Sequence, residues 1–84
     1  MNDLEYVILD ELYFVVTFEE LLRKTGLPEE ALKAELINLL KKGWLKIVDL
    51  ETDVEVEDHI TIEKDYKKYN YLASKAGLFA HNSR

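Results

Sequence analysis

The spacing of apolar residues changes at Gly43, and this change limits the fold more than any other feature of the chain. Before Gly43, apolar residues recur every three or four positions, which is the period of an amphipathic helix. From residue 49 to residue 57 every odd position is acidic and the even positions are mostly apolar, which is the period of a strand. The sequence therefore predicts a helical first half followed by a β-ribbon.

The first predicted helix, residues 1–16, is apolar over more than one face. One stripe has helical spacing and is expected to face the core: Leu4, Ile8 and Leu12. A second stripe beside it, here called the dimer stripe, consists of Tyr6, Leu9 and Tyr13. Because a three-helix core needs only one stripe, the second predicts a homodimer. The alternative is that a C-terminal helix carrying Leu78 and Phe79 covers the dimer stripe within one chain.

Capping residues and helix breakers divide the remainder of the first half. Thr17 and Glu20 have capping-box spacing at the start of FEELLRKT, and Gly26 is expected to end that helix. Pro28 suits the first turn of a third helix, which Gly43 closes. The buried stripe of this third helix is predicted to be Leu32, Leu36, Leu39 and Leu40. The three helices are expected to pack through Ile8, Leu12, Leu21, Leu32, Leu36 and Leu40.

Four segments follow Gly43. WLKIVDL is rich in β-branched and aromatic residues and predicts a strand, with Trp44 at its start. HITIEKD is expected to continue or return the ribbon, and KYNYL predicts another strand with Tyr69 and Tyr71 on one face. SKAGLFAHN predicts a short closing helix.

The charge of the chain is concentrated in one segment. The 84 residues carry 17 acidic and 11 basic side chains, for a net charge of −6. Six of the acids lie in DLETDVEVED, residues 49–58, which has no base. The chain has no Cys, which excludes disulfides and thiolate chemistry. Acids near the N-terminus and the lack of a long apolar run predict a cytoplasmic protein without a signal peptide or membrane segment.

Three helices followed by a β-ribbon resemble the winged helix-turn-helix superfamily, in its small bacterial and archaeal regulator form. TFEELLRKTGLPEEALKAELINLLKKGWLKIVD is similar to the second and third helices and first wing strand of that family, with KGWL at the helix exit. YLASKAGLFA resembles the segment after the wing, usually Y-x-L-T-x-x-G. The resemblance covers residues 4–80 and implies a mainly α fold with a small β-ribbon. One domain, 1–84, would comprise helix 1 (1–16), the helix-turn-helix (17–43), an acidic wing (44–73) and a short C-terminal helix and tail (74–84).

In this family the third helix usually enters the major groove of DNA. Its surface here, called the helix-3 face, consists of Glu30, Lys33, Ala34, Ile37, Asn38 and Lys41. Only Lys33 and Asn38 are residue types that make specific base contacts. Glu29 and Glu30 would oppose phosphates, although acids in a first helical turn also stabilise the helix dipole. The acidic wing would repel phosphates as well, and its alternative roles are a solvated edge or a surface for a basic partner.

The sequence retains one feature that favours nucleic acid. KDYKKYNY interleaves lysines with tyrosines, and such side chains follow a backbone and stack on bases. If DNA is bound, the expected contacts, here called the nucleic-acid set, are Lys33, Asn38, Lys64, Lys67, Lys68 and Tyr69. Half-buried strand tyrosines are the alternative explanation.

Enzymatic motifs are missing from the sequence. His59 and His81 do not have metal-ligand spacing, and there is no phosphate loop or nucleophile elbow. We therefore expect no catalytic residue, cofactor or metal site. The sequence favours a non-enzymatic winged-helix module that acts by protein–protein interaction in a regulatory setting, with a basic protein or a second copy as partner. The alternative is a DNA-binding transcriptional regulator that uses helix 3 and the lysine- and tyrosine-rich strand.

Overall fold

The computed structural model describes residues 1–49, 51, 55–56 and 59–83. Within these residues the helices and strands are, in chain order, α1 (Asp3–Asp10), β1 (Val16–Thr17), α2 (Phe18–Thr25), α3 (Glu29–Lys41), β2 (Leu45–Asp49), β3 (Glu55–Val56), α4 (His59–Asp65), a 3-10 helix (Tyr66–Lys68), β4 (Tyr69–Ala73) and α5 (Lys75–Asn82). The predicted mixture of helices and a small antiparallel sheet is confirmed at the level of an α+β class.

Side-chain caps start α1 and α2. At α1 the Asn2 side chain accepts from the Glu5 amide while the Glu5 carboxylate accepts from the Asn2 amide, which is a reciprocal capping box. At α2 the Thr17 hydroxyl accepts from the Glu20 amide at 3.1 Å, so the predicted cap is present on that side. The observed α2 matches FEELLRKT residue for residue.

Two glycines end helices because they adopt a left-handed conformation. Gly26 follows α2 with φ +68°, and Gly43 follows α3 with φ +77°. Pro28 immediately precedes α3 with extended backbone, which is compatible with its missing amide hydrogen. Local chemistry thus sets both ends of the predicted helix pair.

The described strands form an antiparallel sheet in the order β1-β4-β2-β3. The longest pairing joins β2 to β4, with Ile47 opposite Tyr71 and Leu45 opposite Ala73. The predicted strand at KYNYL is confirmed as β4, and the closing helix is confirmed as α5. Of the acidic wing, β3 pairs with β2, while residues 50, 52–54 and 57–58 lie outside the described residues.

Two predicted elements are wrong. The first helix does not extend over 1–16 but ends at Asp10, because the Leu12 carbonyl accepts from the Ala73 amide and Val16 pairs with Tyr71 in the sheet. HITIEKD is the helix α4 rather than part of the ribbon. The two isoleucines of this segment lie two residues apart, and in so short a segment this spacing is compatible with either a strand or a helix. In the structure, the fully buried Ile62 side chain belongs to a helix.

The core lies between the helices and one face of the sheet. Of the packing residues predicted for the three helices, all but Leu40 are fully buried and Leu40 packs partly buried against them. The sheet contributes further buried side chains, and Tyr71 is the largest of them. The full set of buried apolar residues is Ile8, Leu9, Leu12, Val16, Phe18, Leu21, Leu32, Leu36, Leu39, Leu45, Ile47, Ile62, Tyr71 and Ala73.

Helix α5 approaches the backbone of the α3–β2 connection closely. The Ser74 amide donates to the Trp44 carbonyl at 2.9 Å and the Ser74 hydroxyl donates to the Gly43 carbonyl. A Cβ atom on Gly77 would lie 2.2 Å from the Trp44 carbonyl oxygen, a distance that no packed structure accepts. The Ser and Gly of the SKAG segment therefore attach α5 to the start of β2.

Candidate functional site

The helix-3 face is only partly available to a partner. Glu30, Ala34 and Lys41 are exposed, as expected for the side of α3 opposite its buried leucines. Ile37 is half-buried and packs against the core. The remaining two residues of the face, Lys33 and Asn38, make contacts within the chain that are described below.

Asn38 contacts a buried carboxylate rather than solvent. Its side-chain amide donates to Glu5 Oε2 at 2.7 Å and lies 3.4 Å from Glu35 Oε2. Lys42 forms an ion pair with the same Glu5 oxygen, and its ammonium lies 4.9 Å from the centre of the Trp44 ring. Glu5 is 1% exposed, so α1 buries a charge that Lys42, directly after α3, neutralises.

The environment of Glu5 favours its charged form. Burial by itself would raise the pKa of this carboxyl. Hydrogen bonds from Lys42, from the Asn2 amide and from Asn38, together with the charge of Lys42, outweigh burial and lower the pKa below its ordinary value of 4.5. Sequence reasoning missed this residue. Its signal was the Asn2–Glu5 capping spacing on the same helical face as Ile8 and Leu9.

A second cluster lies at the start of α3. Tyr66 donates its hydroxyl hydrogen to Glu29, and the Lys67 ammonium lies 3.3 Å from the same carboxylate. The Lys33 ammonium lies 5.1 Å from the centre of the Tyr66 ring, whose edge also packs against Phe18. The tertiary structure therefore brings together Lys33 and Lys67, two members of the nucleic-acid set, around a tyrosine and a glutamate.

In this second cluster, the hydrogen bond between Tyr66 and Glu29 shifts the pKa of both groups. The bond from Tyr66 is the largest influence on Glu29 and lowers its pKa, with Lys67 and Lys33 adding to the effect against partial burial. The same bond, followed by burial and the charges of Glu29 and Glu30, raises the pKa of Tyr66 to about 12. Tyr66 therefore remains a neutral donor to a charged carboxylate over the whole neutral range.

The other members of the nucleic-acid set do not converge on one surface. Lys68 lies 3.6 Å from the Asp65 carboxylate, and Tyr69 is half-buried against the core. Lys64 is exposed on α4. Asn38 faces Glu5 at the other end of α3 from Lys33 and Lys67.

The dimer stripe is partly covered in this fold. Leu9 is fully buried, and Tyr6 stacks on the His81 ring of α5 with centroids 4.2 Å apart and an interplanar angle of 16°. Tyr13 contacts the same ring edge-on at 5.3 Å. Helix α5 therefore covers part of the dimer stripe and leaves Tyr13 38% exposed, and the dimer stays a prediction. The covering side chain is His81, whereas Phe79 is 74% exposed.

His81 is the most constrained polar side chain of α5. The Tyr13 hydroxyl donates to the side-chain Oδ1 of Asn82 at 2.8 Å, and its oxygen lies 2.7 Å from His81 Nδ1. On the other side of the ring, Nε2 lies 3.3 Å from an Asp10 oxygen without forming a hydrogen bond. The ring thus holds α5 against α1 through its stacking on Tyr6 and its hydrogen bond with the Tyr13 hydroxyl.

Several large apolar side chains of α1, α5 and the segment between α1 and β1 are exposed. Tyr13 continues into Phe14 and Val15, which are 81% and 50% exposed. On α1 Val7 is 44% exposed, and on α5 Phe79 stands one turn before Asn82. We call these four residues the outer α1–α5 surface: Val7, Phe14, Val15 and Phe79. Apolar area of this kind is typical of protein contacts.

Metal ligation and membrane insertion find no site in the described part of the chain. Among the described residues, no group of three or more His, Asp or Glu side chains is arranged to hold a metal ion. The described helices are also all too short or too polar to cross a bilayer. Comparison of the chain with protein-family models, curated proteins and solved structures finds no match.

Proposed function

We propose that this chain is a small winged helix-turn-helix module that acts by contacting protein, without catalysis and without reading a DNA sequence. The order of α1, α2, α3 and an antiparallel β2–β3 pair supports the fold assignment. The left-handed Gly26 between α2 and α3 supports it as well. The helix α4 between β3 and β4 departs from the family pattern.

The observation that carries the functional proposal is the hydrogen bond from Asn38 to buried Glu5. Base readout by a helix in the major groove needs side chains with free donors and acceptors. Asn38 was one of only two such candidates on the helix-3 face, and using it on DNA would leave Glu5 with fewer donors. The second candidate, Lys33, lies over the Tyr66 ring beside two glutamates.

Ion pairs between lysines and acidic side chains of the same chain support the same conclusion. Lys67 pairs with Glu29, and Lys68 pairs with Asp65. Non-specific DNA affinity comes mainly from neutralising phosphates with cationic side chains. Each of these pairs would have to be replaced by a phosphate contact on a chain whose net charge is −6. Protein contact instead has the outer α1–α5 surface available.

Fluorescence anisotropy with a mixed-sequence DNA duplex tests this proposal. We expect no binding below the micromolar range at about 50 mM or about 200 mM salt, with the same result for Lys33→Glu and Lys67→Glu. Lys41→Glu serves as a matched charge control on the same helix. Sub-micromolar, steeply salt-dependent binding that Lys33→Glu or Lys67→Glu abolishes would replace this proposal with the DNA-binding regulator.

A further inference from the structure

We propose that protonation of His81 strengthens the contact between α5 and α1. The buried ring stacks on Tyr6, lies 2.7 Å from the Tyr13 hydroxyl oxygen and lies 3.3 Å from an Asp10 oxygen. Histidine ordinarily gains its proton between about pH 8 and about pH 5, so the contact changes with pH in that range. The proposal goes beyond the proposed function, because it concerns the attachment of α5 and does not depend on which partner the module contacts.

The hydrogen bonds around this ring cannot all be made by a neutral imidazole. The Tyr13 hydroxyl has one hydrogen, yet it lies within bonding distance of both Asn82 Oδ1 and His81 Nδ1. If the ring hydrogen is on Nδ1, both bonds form, but Nε2 presents a lone pair to the Asp10 carboxylate. If it is on Nε2, the Tyr13 hydrogen reaches either Nδ1 or Asn82, and one bond is lost. A protonated ring donates from both nitrogens and satisfies all three partners.

A positive charge on His81 also suits the two helix ends that meet at the ring. His81 lies in the last turn of α5, where free backbone carbonyls make the helix end partly negative. Asp10 is the last residue of α1, and the last turn of that helix contains no base. While His81 is neutral, the end of α1 therefore combines an acid with the negative end of the helix dipole. Protonation of His81 offsets both.

The other charged groups of the packed elements lie away from the ring or have partners of their own. Glu11 lies 3.9 Å from the Lys24 ammonium of α2. Asp3 and Lys75 are the first residues of α1 and α5, whereas the contact of Asp10 with the ring lies at the last turns. The titratable side chains of β4, against which α5 also packs, are tyrosines. We therefore assign the electrostatic effect of protonation to Asp10.

Burial and screening set the size of this effect. Burial of the ring disfavours its positive charge, whereas Asp10 and the two helix ends favour it. The Asp10 side chain is 59% exposed, so water screens part of its attraction. Because the ion pair exists only in the folded chain, its contribution to stability is present where His81 is protonated. That contribution is lost as the pH rises through the range in which the ring loses its proton.

Urea denaturation of the full chain at about pH 8 and at about pH 5.5 tests the proposal. We expect the ratio of the folding equilibrium constant of wild type to that of Asp10→Asn to be about two- to fivefold larger at the lower pH. Glu63→Gln removes an exposed acid of α4 and is the matched control, whose ratio to wild type should change much less. A wild-type to Asp10→Asn ratio that is equal at the two pH values overturns the proposal.

The same comparison in a His81→Gln background identifies the group that takes up the proton. The ratio between His81→Gln and the double variant with Asp10→Asn should not change with pH, because glutamine does not gain a charge. A ratio that changes as much as in the presence of His81 overturns the proposal, since another group would then carry the pH dependence. Circular dichroism melts show whether each variant is folded.

Amide hydrogen exchange locates the effect and needs no histidine variant. After correction for the intrinsic exchange rate at each pH, lowering the pH should raise the protection of the α5 amides by about two- to fivefold more in wild type than in Asp10→Asn. The amides of α3 should change equally in the two proteins. If α5 and α3 respond alike, the proton does not act through the α1–α5 contact and the proposal is wrong.

Discussion

Helix α1 contacts α3 and α5 in opposite ways. Toward α3 it presents buried Glu5, whose carboxylate receives donors from Asn38, Lys42 and the Asn2 amide. Toward α5 it presents the Tyr6 ring, which stacks on His81 while His81 Nε2 has no hydrogen bond. The first contact satisfies a charge completely. The second leaves His81 Nε2 without a hydrogen bond, 3.3 Å from an Asp10 oxygen.

The difference indicates which of the two contacts fixes the orientation of α1 more closely. A buried carboxylate tolerates few arrangements of its donors, so the α1–α3 contact holds the two helices in one orientation. Ring stacking and one hydroxyl specify the α1–α5 contact less closely. Each of the following substitutions is expected to affect one contact and not the other.

The largest expected effect separates the inner and outer sides of α1. Leu9→Ala removes a fully buried side chain and should lower the free energy of unfolding by about 2–5 kcal/mol. Val7→Ala, on the exposed side of the same helix, should change it by no more than about 0.5 kcal/mol at low protein concentration. Urea denaturation measures both values. Equal losses would mean that α1 is rotated about its axis relative to the structure.

Displacement of α5 should have the next largest effect. Gly77→Ala places a Cβ atom against the Trp44 carbonyl, so α5 must shift away from the start of β2. We expect the free energy of unfolding to fall by about 1–3 kcal/mol, with a weaker Tyr6–His81 contact but an intact α1–α3 contact. Chemical-shift changes confined to residues near α5 would show this. Ala76→Ser, on the exposed side of α5, is the control, and the argument fails if both variants are equally stable.

Removal of one donor should break the α1–α3 contact. Lys42→Met leaves the buried Glu5 carboxylate without its ion-pair partner, and the expected loss at pH 7 is about 1–3 kcal/mol. The neighbouring Lys41 is exposed, so Lys41→Met should be nearly neutral. Comparable results for the two methionine variants in urea denaturation would contradict a structural role for the ion pair.

The pH dependence of the same variant sharpens this test. The pKa of Glu5 in the folded chain lies below 4.5, so its contribution to stability is present above that pH and is lost as the pH falls through the folded value. Once Glu5 is protonated in both proteins, Lys42 has no charge to neutralise. The stability difference between wild type and Lys42→Met should therefore shrink between pH 7 and pH values well below 4.5. If the stability difference between wild type and Lys42→Met does not change with pH, the loss of stability in the variant comes from packing.

The smallest expected effect concerns the hydroxyl that joins Tyr13 to α5. Tyr13→Phe removes the bonds to His81 and Asn82 but keeps the ring. Because the Tyr13 hydroxyl is partly exposed, the free energy of unfolding should fall by about 0.5–1.5 kcal/mol. Differential scanning calorimetry detects the corresponding fall in Tm. A loss as large as that of Lys42→Met would remove the proposed distinction between the two contacts of α1.

Local sequence determined the helix-turn-helix segment and most of its core. Thr17, Gly26 and Gly43 act through hydrogen bonds and backbone conformations within a few residues, so the bounds of α2 and the end of α3 follow from the sequence. The leucines of α3 recur at helical spacing, and three of the four predicted are fully buried. The strand at Tyr69–Ala73 and the helix after Ser74 were equally local predictions.

Only the tertiary structure decided which faces are covered and which polar groups meet. HITIEKD is a helix whose Ile62 enters the core, and the dimer stripe is partly covered because His81, 68 residues from Tyr13, packs on it. Glu5 and Asn38 are 33 residues apart, and nothing near either one specifies their contact. Periodicity identifies an apolar or polar face but does not specify its partner, since that depends on contacts between distant segments.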